Sequence, residues 1–264
     1  MEEKDIKTIV KEKYGQIALQ SEPAGCCGPV SDCCGVDYTI FSENYESQQG
    51  YNKDADLGLG CGIPTEFAGL QTGQHVLDLG SGAGNDCFVA RAIVGETGKV
   101  TGLDFSEEML TKARSNAQKL GFTNVEFVVG DIEEMPLESN QFDVVISNCV
   151  LNLVPDKDKA FTEVFRVLKP EGHFCVSDVV LKGELPDKLK KDAEMYAGCV
   201  SGAMQMDDYL ETIKRSGFKN VLVHKQRSIE VPANILTMYL NEEEMQDFRN
   251  NKIGLFSITV SAYK

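Results

Sequence analysis

Three glycines on alternate positions close the run Val76-Leu77-Asp78-Leu79-Gly80-Ser81-Gly82-Ala83-Gly84. A short apolar stretch stops at that turn and a helical pattern, Asn85 to Val94, follows it. Strand, bare-backbone loop and helix start form the arrangement with which α/β proteins hold a nucleotide-like ligand. Glycine lets backbone approach the ligand and take angles that a side chain forbids. Asp104 ends the next strand-like run, Lys99 to Leu103, where a carboxylate can accept both hydroxyls of a ribose. Asp78, ahead of the loop, would repel a pyrophosphate but can accept from a cationic amino-acid group. No Gly-Lys-Ser/Thr follows, which excludes a phosphate-cradling P-loop. After a third strand stands Gly130-Asp131-Ile132-Glu133, where Asp131 can accept from an exocyclic amine and Ile132 can pack on a ring. The set favours S-adenosylmethionine over NAD. The bland alternative leaves Asp104 and Asp131 as solvated turn carboxylates.

Sulfur supplies the second chemistry. Of nine cysteines, Cys87 and Cys175 sit inside apolar patterns and read as small core residues. Cys61 lies in a glycine turn, Cys149 follows the fourth strand, and Cys199 lies in Tyr196-Ala197-Gly198-Cys199-Val200-Ser201-Gly202. Acceptors in doubly wound sheets sit beyond the strand C-termini, which is where Cys149 falls. Three thiols converging from distant segments suit a soft, pyramidal centre such as trivalent arsenic, whose lone pair stays free to attack a methyl. Zinc would take four ligands, often from close pairs, and no Cys-x-x-Cys occurs. The alternative is three incidental core or loop cysteines. A nitrogen or oxygen acceptor often needs a base, and the histidines are badly placed for one. His75 and His173 read as strand starts and His224 as mid-strand, all structural.

Elements that alternate must position these groups. Strands are expected at 75–79, 99–103, 124–128, 142–147 and 172–178, with helices at 84–94, 106–120 and 156–168. Ser106 reads as an N-cap and Gly121 as a stop. Such alternation means a parallel sheet covered by helices on both faces. A helix with one apolar stripe opens the chain at 5–19, and Pro64 suits the first position of a short helix after Cys61. Further helices are expected at 187–195, 206–216 and within 232–250, the last with Asn241 and Glu244 in capping-box spacing. Closing strands are expected at 221–231 and 258–262.

Composition sets the outer bounds. The 264 residues allow one domain with an appendage or two small domains, and ordinary hydrophobic content points to a soluble globular chain. A formal charge of −15 argues against a nucleic-acid partner. Charged opening residues and the lack of a long apolar stretch argue against export or a membrane partner, so a cytoplasmic protein is expected. There an odd number of cysteines makes a disulfide framework a poor account.

In order and spacing, Leu77 to Gly84, Asp104, Gly130-Asp131-Ile132-Glu133, Phe142-Asp143-Val144-Val145 and Val167-Leu168-Lys169-Pro170-Glu171-Gly172 resemble the successive motifs of class I S-adenosylmethionine-dependent methyltransferases. The resemblance implies a doubly wound, Rossmann-like sheet of seven mostly parallel strands ending in an antiparallel hairpin. It implies a cofactor set of Asp78, Gly80, Ser81, Gly82, Gly84, Asp104, Phe105, Met109, Asp131, Ile132 and Asn148. Leu57 to Thr65, Ser147 to Leu153, and Tyr196 to Ala203 resemble the three cysteine motifs of arsenite methyltransferases, and Lys13-Tyr14-Gly15 fits that family's opening.

By that likeness Cys149 and Cys199 are the persistent arsenic ligands. Cys61 is the third, able to form a disulfide that thioredoxin or glutathione reduces. Residues 1–70 would cap the site, 71–182 hold the cofactor, and 183–264 supply arsenic-binding and closing elements. Cys26, Cys27, Cys33 and Cys34 are either a capture site for arsenite or incidental thiols. Two other readings use the same residues: a small-molecule carbon- or oxygen-methyltransferase for a substrate such as a quinone precursor, and a metalloid-binding protein that transfers nothing.

Overall fold

Strand β1 (His75–Leu79) lies between two parallel neighbours, β2 (Lys99–Asp104) and β4 (Phe142–Asn148). The computed structural model describes residues 3–19, 43–183, 202–229, 237, 240–250 and 254–264. Beside β2 runs β3 (Val125–Val129), and beside β4 runs β5 (Leu168–Lys182), both parallel. A two-residue β6 (Met204–Gln205) adds to β5. The sheet closes with β7 (Lys219–Ile229) and β8 (Gly254–Tyr263), and β8 inserts antiparallel between β5 and β7. The row is β3-β2-β1-β4-β5-β8-β7. That row is the mostly parallel seven-strand order that the family resemblance implied, with the short β6 as an eighth strand beside β5.

Parallel neighbours require crossovers. They are α2 (Asn85–Val94) from β1 to β2, α3 (Glu107–Lys119) from β2 to β3, and α4 (Lys157–Val167) from β4 to β5. The N-terminal α1 (Glu3–Leu19) packs on α3, while α5 (Met206–Arg215) and α6 (Glu242–Arg249) precede β7 and β8. Local chemistry sets the helix ends. Ser106 Oγ accepts from the Met109 N–H, Asp156 Oδ1 accepts from the Lys159 N–H, and Gly121 at φ 69° ends the turn after α3. Asn241 and Glu244 form the expected reciprocal capping box at 2.8 and 2.9 Å.

Apolar side chains fill both faces of the sheet. Phe88, Val94 and Cys87 of α2 pack with Val76, Val144 and Ile146 on one face. Phe161 of α4 and Tyr209 of α5 pack with Phe174, Leu77 and Val145 on the other. Each fully buried Leu, Val or Phe contributes about 1.5–3 kcal/mol, and β1, β2 and β4 are buried nearly end to end.

The closing elements depart most from expectation. β5 was expected over 172–178 and runs from 168 to 182: Leu168 pairs with Phe142 of β4 at its start, and β8 pairs with it as far as Lys182 at its end. β7 starts two residues earlier than expected and is described to Ile229, β8 is longer at both ends, and β6 was not foreseen. Only α6, Thr237, Leu240 and the residues at the ends of α6 are described within 232–250, and the expected helix at 187–195 lies outside the described residues.

Candidate active site

Strand order reverses at β1 and β4, and a doubly wound sheet opens a crevice beyond the carboxyl ends of such strands. The glycine loop leaves β1 there and the Cys149 turn leaves β4. Gly80, Gly82 and Gly84 all hold left-handed backbone, at φ 65°, 51° and 98°. The N–H groups of Gly80 and Ser81 donate to the Leu103 carbonyl at 2.7 and 3.0 Å, and the Gly82 N–H donates to Asp104 Oδ2 at 2.9 Å. The loop is thus tied to the end of β2.

Above these strand ends opens a cavity whose walls include Asp78, Gly80, Ser81, Gly82, Asp104, Phe105, Met109, Asp131, Ile132, Asn148 and Cys149. Gly84 is set back from it. A Cβ there would collide with Phe88, so its bare backbone serves the turn and helix packing rather than a ligand.

Carboxylates dominate the floor. Asp78 is 2% exposed, and burial together with the nearby charge of Asp86 pushes its carboxyl well above the usual range. Behind it the Cys87 thiol donates to Asp78 Oδ2 at 3.2 Å, so this core cysteine also braces the floor. Burial raises Asp86 to about 6 against the hydrogen bonds from Tyr45 and Asn148. Burial raises Asp104 as well, although it accepts from the Ser106 and Gly82 N–H groups. Such a floor lowers its own free energy by taking up a cation. Two further cavity-wall atoms, Ser81 Oγ and Asn85 Oδ1, are buried without a hydrogen-bond partner among the described residues.

At the β3 end of the cavity Asp131 is half-exposed. Burial opposes its charge, yet Lys7 of α1 at 2.7 Å holds the carboxyl below its ordinary value, and the same ammonium pairs with Glu133.

The thiol side is built from space as much as from bonds. Cys61 is flanked by glycines that a methyl group could not replace: a Cβ on Gly60 would collide with Asn148, and one on Gly62 with Ser177. The Cys61 N–H donates to Asn148 Oδ1 at 3.0 Å, and its carbonyl accepts from Ser257 Oγ of β8. Cys149 has φ 59°, a strained angle for a residue with a Cβ, and its N–H donates to the Ser177 carbonyl at 2.8 Å. Asn148 and Ser177, register partners across β4 and β5, thus hold one cysteine each, the Asn148 amide the Cys61 turn and the Ser177 carbonyl Cys149. Val150, next in the chain, presses on Gly80 and joins the thiol turn to the glycine loop. Cys61 is fully buried and lies behind the cavity wall, whereas Cys149 lines it. Both are near enough to the Tyr209 hydroxyl to bear on its ionisation. Tyr209 donates to Asp178 Oδ2 at 2.9 Å; burial lifts that carboxyl to about 6 against Lys157 and Tyr209.

A family model described as a methyltransferase domain matches residues 70–227. The arsenite methyltransferase of Halobacterium salinarum is 41% identical over 239 residues, 86% of this chain and 61% of that protein. The arsenite methyltransferase of Aquipseudomonas alcaligenes is 38% identical over 243 residues, 88% of this chain and 68% of that protein. The crystal structure of an arsenic(III) S-adenosylmethionine methyltransferase from Chlamydomonas reinhardtii superposes with a TM-score of 0.66 at 35% identity, covering 78% of this chain and 67% of that one.

This chain belongs to the arsenite methyltransferase family. It spans about three fifths of the Halobacterium relative's length. Within this family member the structure brings Cys61 and Cys149 to one place, while Cys199, Cys26, Cys27, Cys33 and Cys34 lie outside the described residues. All three histidines have partners away from the cavity: Thr101, the Ala68 carbonyl and Ser261.

The sequence reading missed Tyr45, Asp86, Asn85 and Lys7. Asp86 had a readable signal, an acid in the first turn of the helix that follows the glycine loop. Tyr45 and Lys7 had none, since their partners lie far along the chain. Among the described residues no helix is long and apolar enough to cross a membrane.

Proposed function

We propose that this protein is an arsenite methyltransferase of the cytoplasm, moving a methyl group from S-adenosylmethionine to trivalent arsenic held by Cys61, Cys149 and Cys199. The observation that carries the reading is the seating of Cys61 by Asn148 and of Cys149 by Ser177, register partners across β4 and β5, beside an acidic cavity at the strand-order reversal. A carbon- or oxygen-methyltransferase has no use for glycines on both sides of a buried thiol.

The cavity fits the donor. S-adenosylmethionine supplies an electrophilic methyl on a sulfonium, and it carries cations where this chain has buried carboxylates. Asp78 and Asp86 accept its ammonium, Asp104 its ribose hydroxyls, Asp131 its adenine amine, and Ile132 packs on the ring. Ser81 Oγ and Asn85 Oδ1 are free to take its remaining polar groups.

Arsenite enters by exchanging hydroxyls for thiolates, each thiol proton leaving with a hydroxyl as water. The arsenic lone pair then forms the carbon–arsenic bond as the carbon–sulfur bond breaks, its electron pair staying on sulfur. No protein base takes a proton in that transfer, in keeping with the placement of the histidines. Positioning of lone pair and methyl is the enzyme's main contribution. Arsenic leaves the step pentavalent. Two electrons from a pair of thiols, Cys61 among them, return it to the trivalent state with formation of a disulfide, which thioredoxin or glutathione reduces.

Purified protein with arsenite, S-adenosylmethionine and a dithiol should form S-adenosylhomocysteine and methylated arsenicals in step. Cys149→Ser and Cys199→Ser should abolish both products. Turnover of a quinone precursor with those thiols removed would point to the small-molecule methyltransferase. Stoichiometric arsenite uptake without S-adenosylhomocysteine would point to the sequestering protein.

A further inference from the structure

Between the cavity and the Cys61 turn, five hydrogen-bond contacts share three hydrogens. The Tyr45 hydroxyl lies 2.8 Å from Asp86 Oδ1 and 3.0 Å from the Gly62 carbonyl, and its single proton serves one of them at a time. Asn148 Nδ2 has two hydrogens and three acceptors: the Tyr45 hydroxyl oxygen at 2.7 Å, the Gly62 carbonyl at 2.8 Å and Asp86 Oδ2 at 3.1 Å. The opposite end of that amide is committed, since Asn148 Oδ1 accepts from the Cys61 and Gly62 N–H groups. Asp86 faces the cavity and Gly62 follows Cys61, so the contested hydrogens stand between the donor pocket and a thiol. Tyr45 is 4% exposed, and burial beside Asp86 keeps it protonated, a donor throughout.

We propose that Tyr45 and Asn148 are positioning residues that couple the two halves of the site: a cationic amine arriving beside Asp86 supplies that carboxylate with hydrogens of its own, and the contested ones pass to the Gly62 carbonyl, closing the Cys61 turn. The inference rests on the reading that the cavity takes S-adenosylmethionine and that Cys61 takes arsenite. Donor and metalloid then bind with positive coupling, and the coupling is reciprocal. Thiol capture is favoured once a methyl donor is in place.

Calorimetric titration of the full chain tests this, with arsenite as one ligand and S-adenosylhomocysteine, which keeps the amine and lacks the methyl, as the other. In the wild-type chain saturating S-adenosylhomocysteine should tighten arsenite by about fivefold or more, and arsenite should tighten S-adenosylhomocysteine by the same factor. Tyr45→Phe leaves two hydrogens for two acceptors, so nothing is contested and the coupling should fall below about twofold with both ligands still bound.

Asp86→Asn brings hydrogens of its own, so arsenite alone should bind this variant more tightly than it binds the wild type, while S-adenosylhomocysteine binds less tightly. A merely structural role would loosen arsenite in both variants. Full coupling in Tyr45→Phe, or none in a wild-type chain that binds both ligands, would overturn the proposal. A wild-type chain that takes up S-adenosylhomocysteine and no arsenite overturns the functional reading and the coupling with it, an outcome recognisable before any variant is made.

Discussion

The cofactor half and the thiol half of this cavity are built on opposite plans. Gly80 to Gly82, Asp104 and Asp131 each end a strand or follow one, so the turns after three successive strands supply the wall proposed for the donor. The thiol half draws on Tyr45, Cys61, Asn148, Ser177 and Ser257, joined by contacts that span most of the chain. The first wall depends on turns bonded to the end of the adjacent parallel strand, Gly80 to Gly82 on β2 and Gly130 on Asp104. The second depends on every long-range contact being made at once. Damage should therefore be graded in the donor wall and steep in the thiol wall.

The largest effect tests that contrast directly. Cys149→Ser should lower arsenite methylation on the order of a hundredfold or more, while S-adenosylhomocysteine affinity stays within about threefold. Comparable losses of both would mean that the two walls are one unit. Gly62→Ala comes next, since its methyl would meet Ser177 in a packed turn. It should destabilise the chain by about 1–3 kcal/mol and depress methylation further than the fall in thermal midpoint explains. Wild-type turnover in that variant would remove the close-approach argument for the two glycines.

In the donor wall, Asp104→Ala should weaken S-adenosylhomocysteine by roughly 10- to 100-fold, the worth of one or two hydrogen bonds to a charged group. Arsenite affinity measured without cofactor should hardly move.

The pH dependence follows from Asp86, raised to about 6 by burial. A raised carboxyl favours the folded, ligand-free chain below its unfolded value. That contribution is lost as pH rises through about 6, where the site becomes charged and ready for a cation. Titrations of S-adenosylhomocysteine should thus show affinity falling by up to about tenfold per pH unit below 6, with proton uptake into the free protein. A flat profile from pH 5 to 8 would show that Asp86 is ionised throughout.

The smallest effect belongs to Lys7, whose pair with Asp131 is partly exposed. Lys7→Met should cost well under 1 kcal/mol in stability and change cofactor affinity by only a few-fold, less still at high salt.

The two plans also explain what could be read in advance. β1, α2, β2 and α3 were legible because periodicity, caps and glycine turns are written in neighbouring residues. The Asn241–Glu244 capping box was legible for the same reason. Strand β5 beyond Asp178 was not, because its partner there, β8, lies about seventy to eighty residues further along the chain. Cys61 and Cys149 were singled out by type and context, yet the glycines beside Cys61 looked like flexibility. Folded, they are clearance for Asn148 and Ser177. Asp86 was overlooked because a first-turn acid is a common helix-start feature, and only burial gives it a second use.

By itself the sequence determined the alternating sheet, the glycine loop, the acids at strand ends and the choice of sulfur, since each follows from residue type at short spacing. Tertiary structure alone decided which acids share a buried floor, and that Asn148 holds the Cys61 turn while Ser177 holds Cys149. It also decided that Tyr45 stands between donor and thiol. The reason is physical: hydrogen-bond sharing and desolvation act between groups that meet only after the chain has closed, and no periodicity along the chain records them.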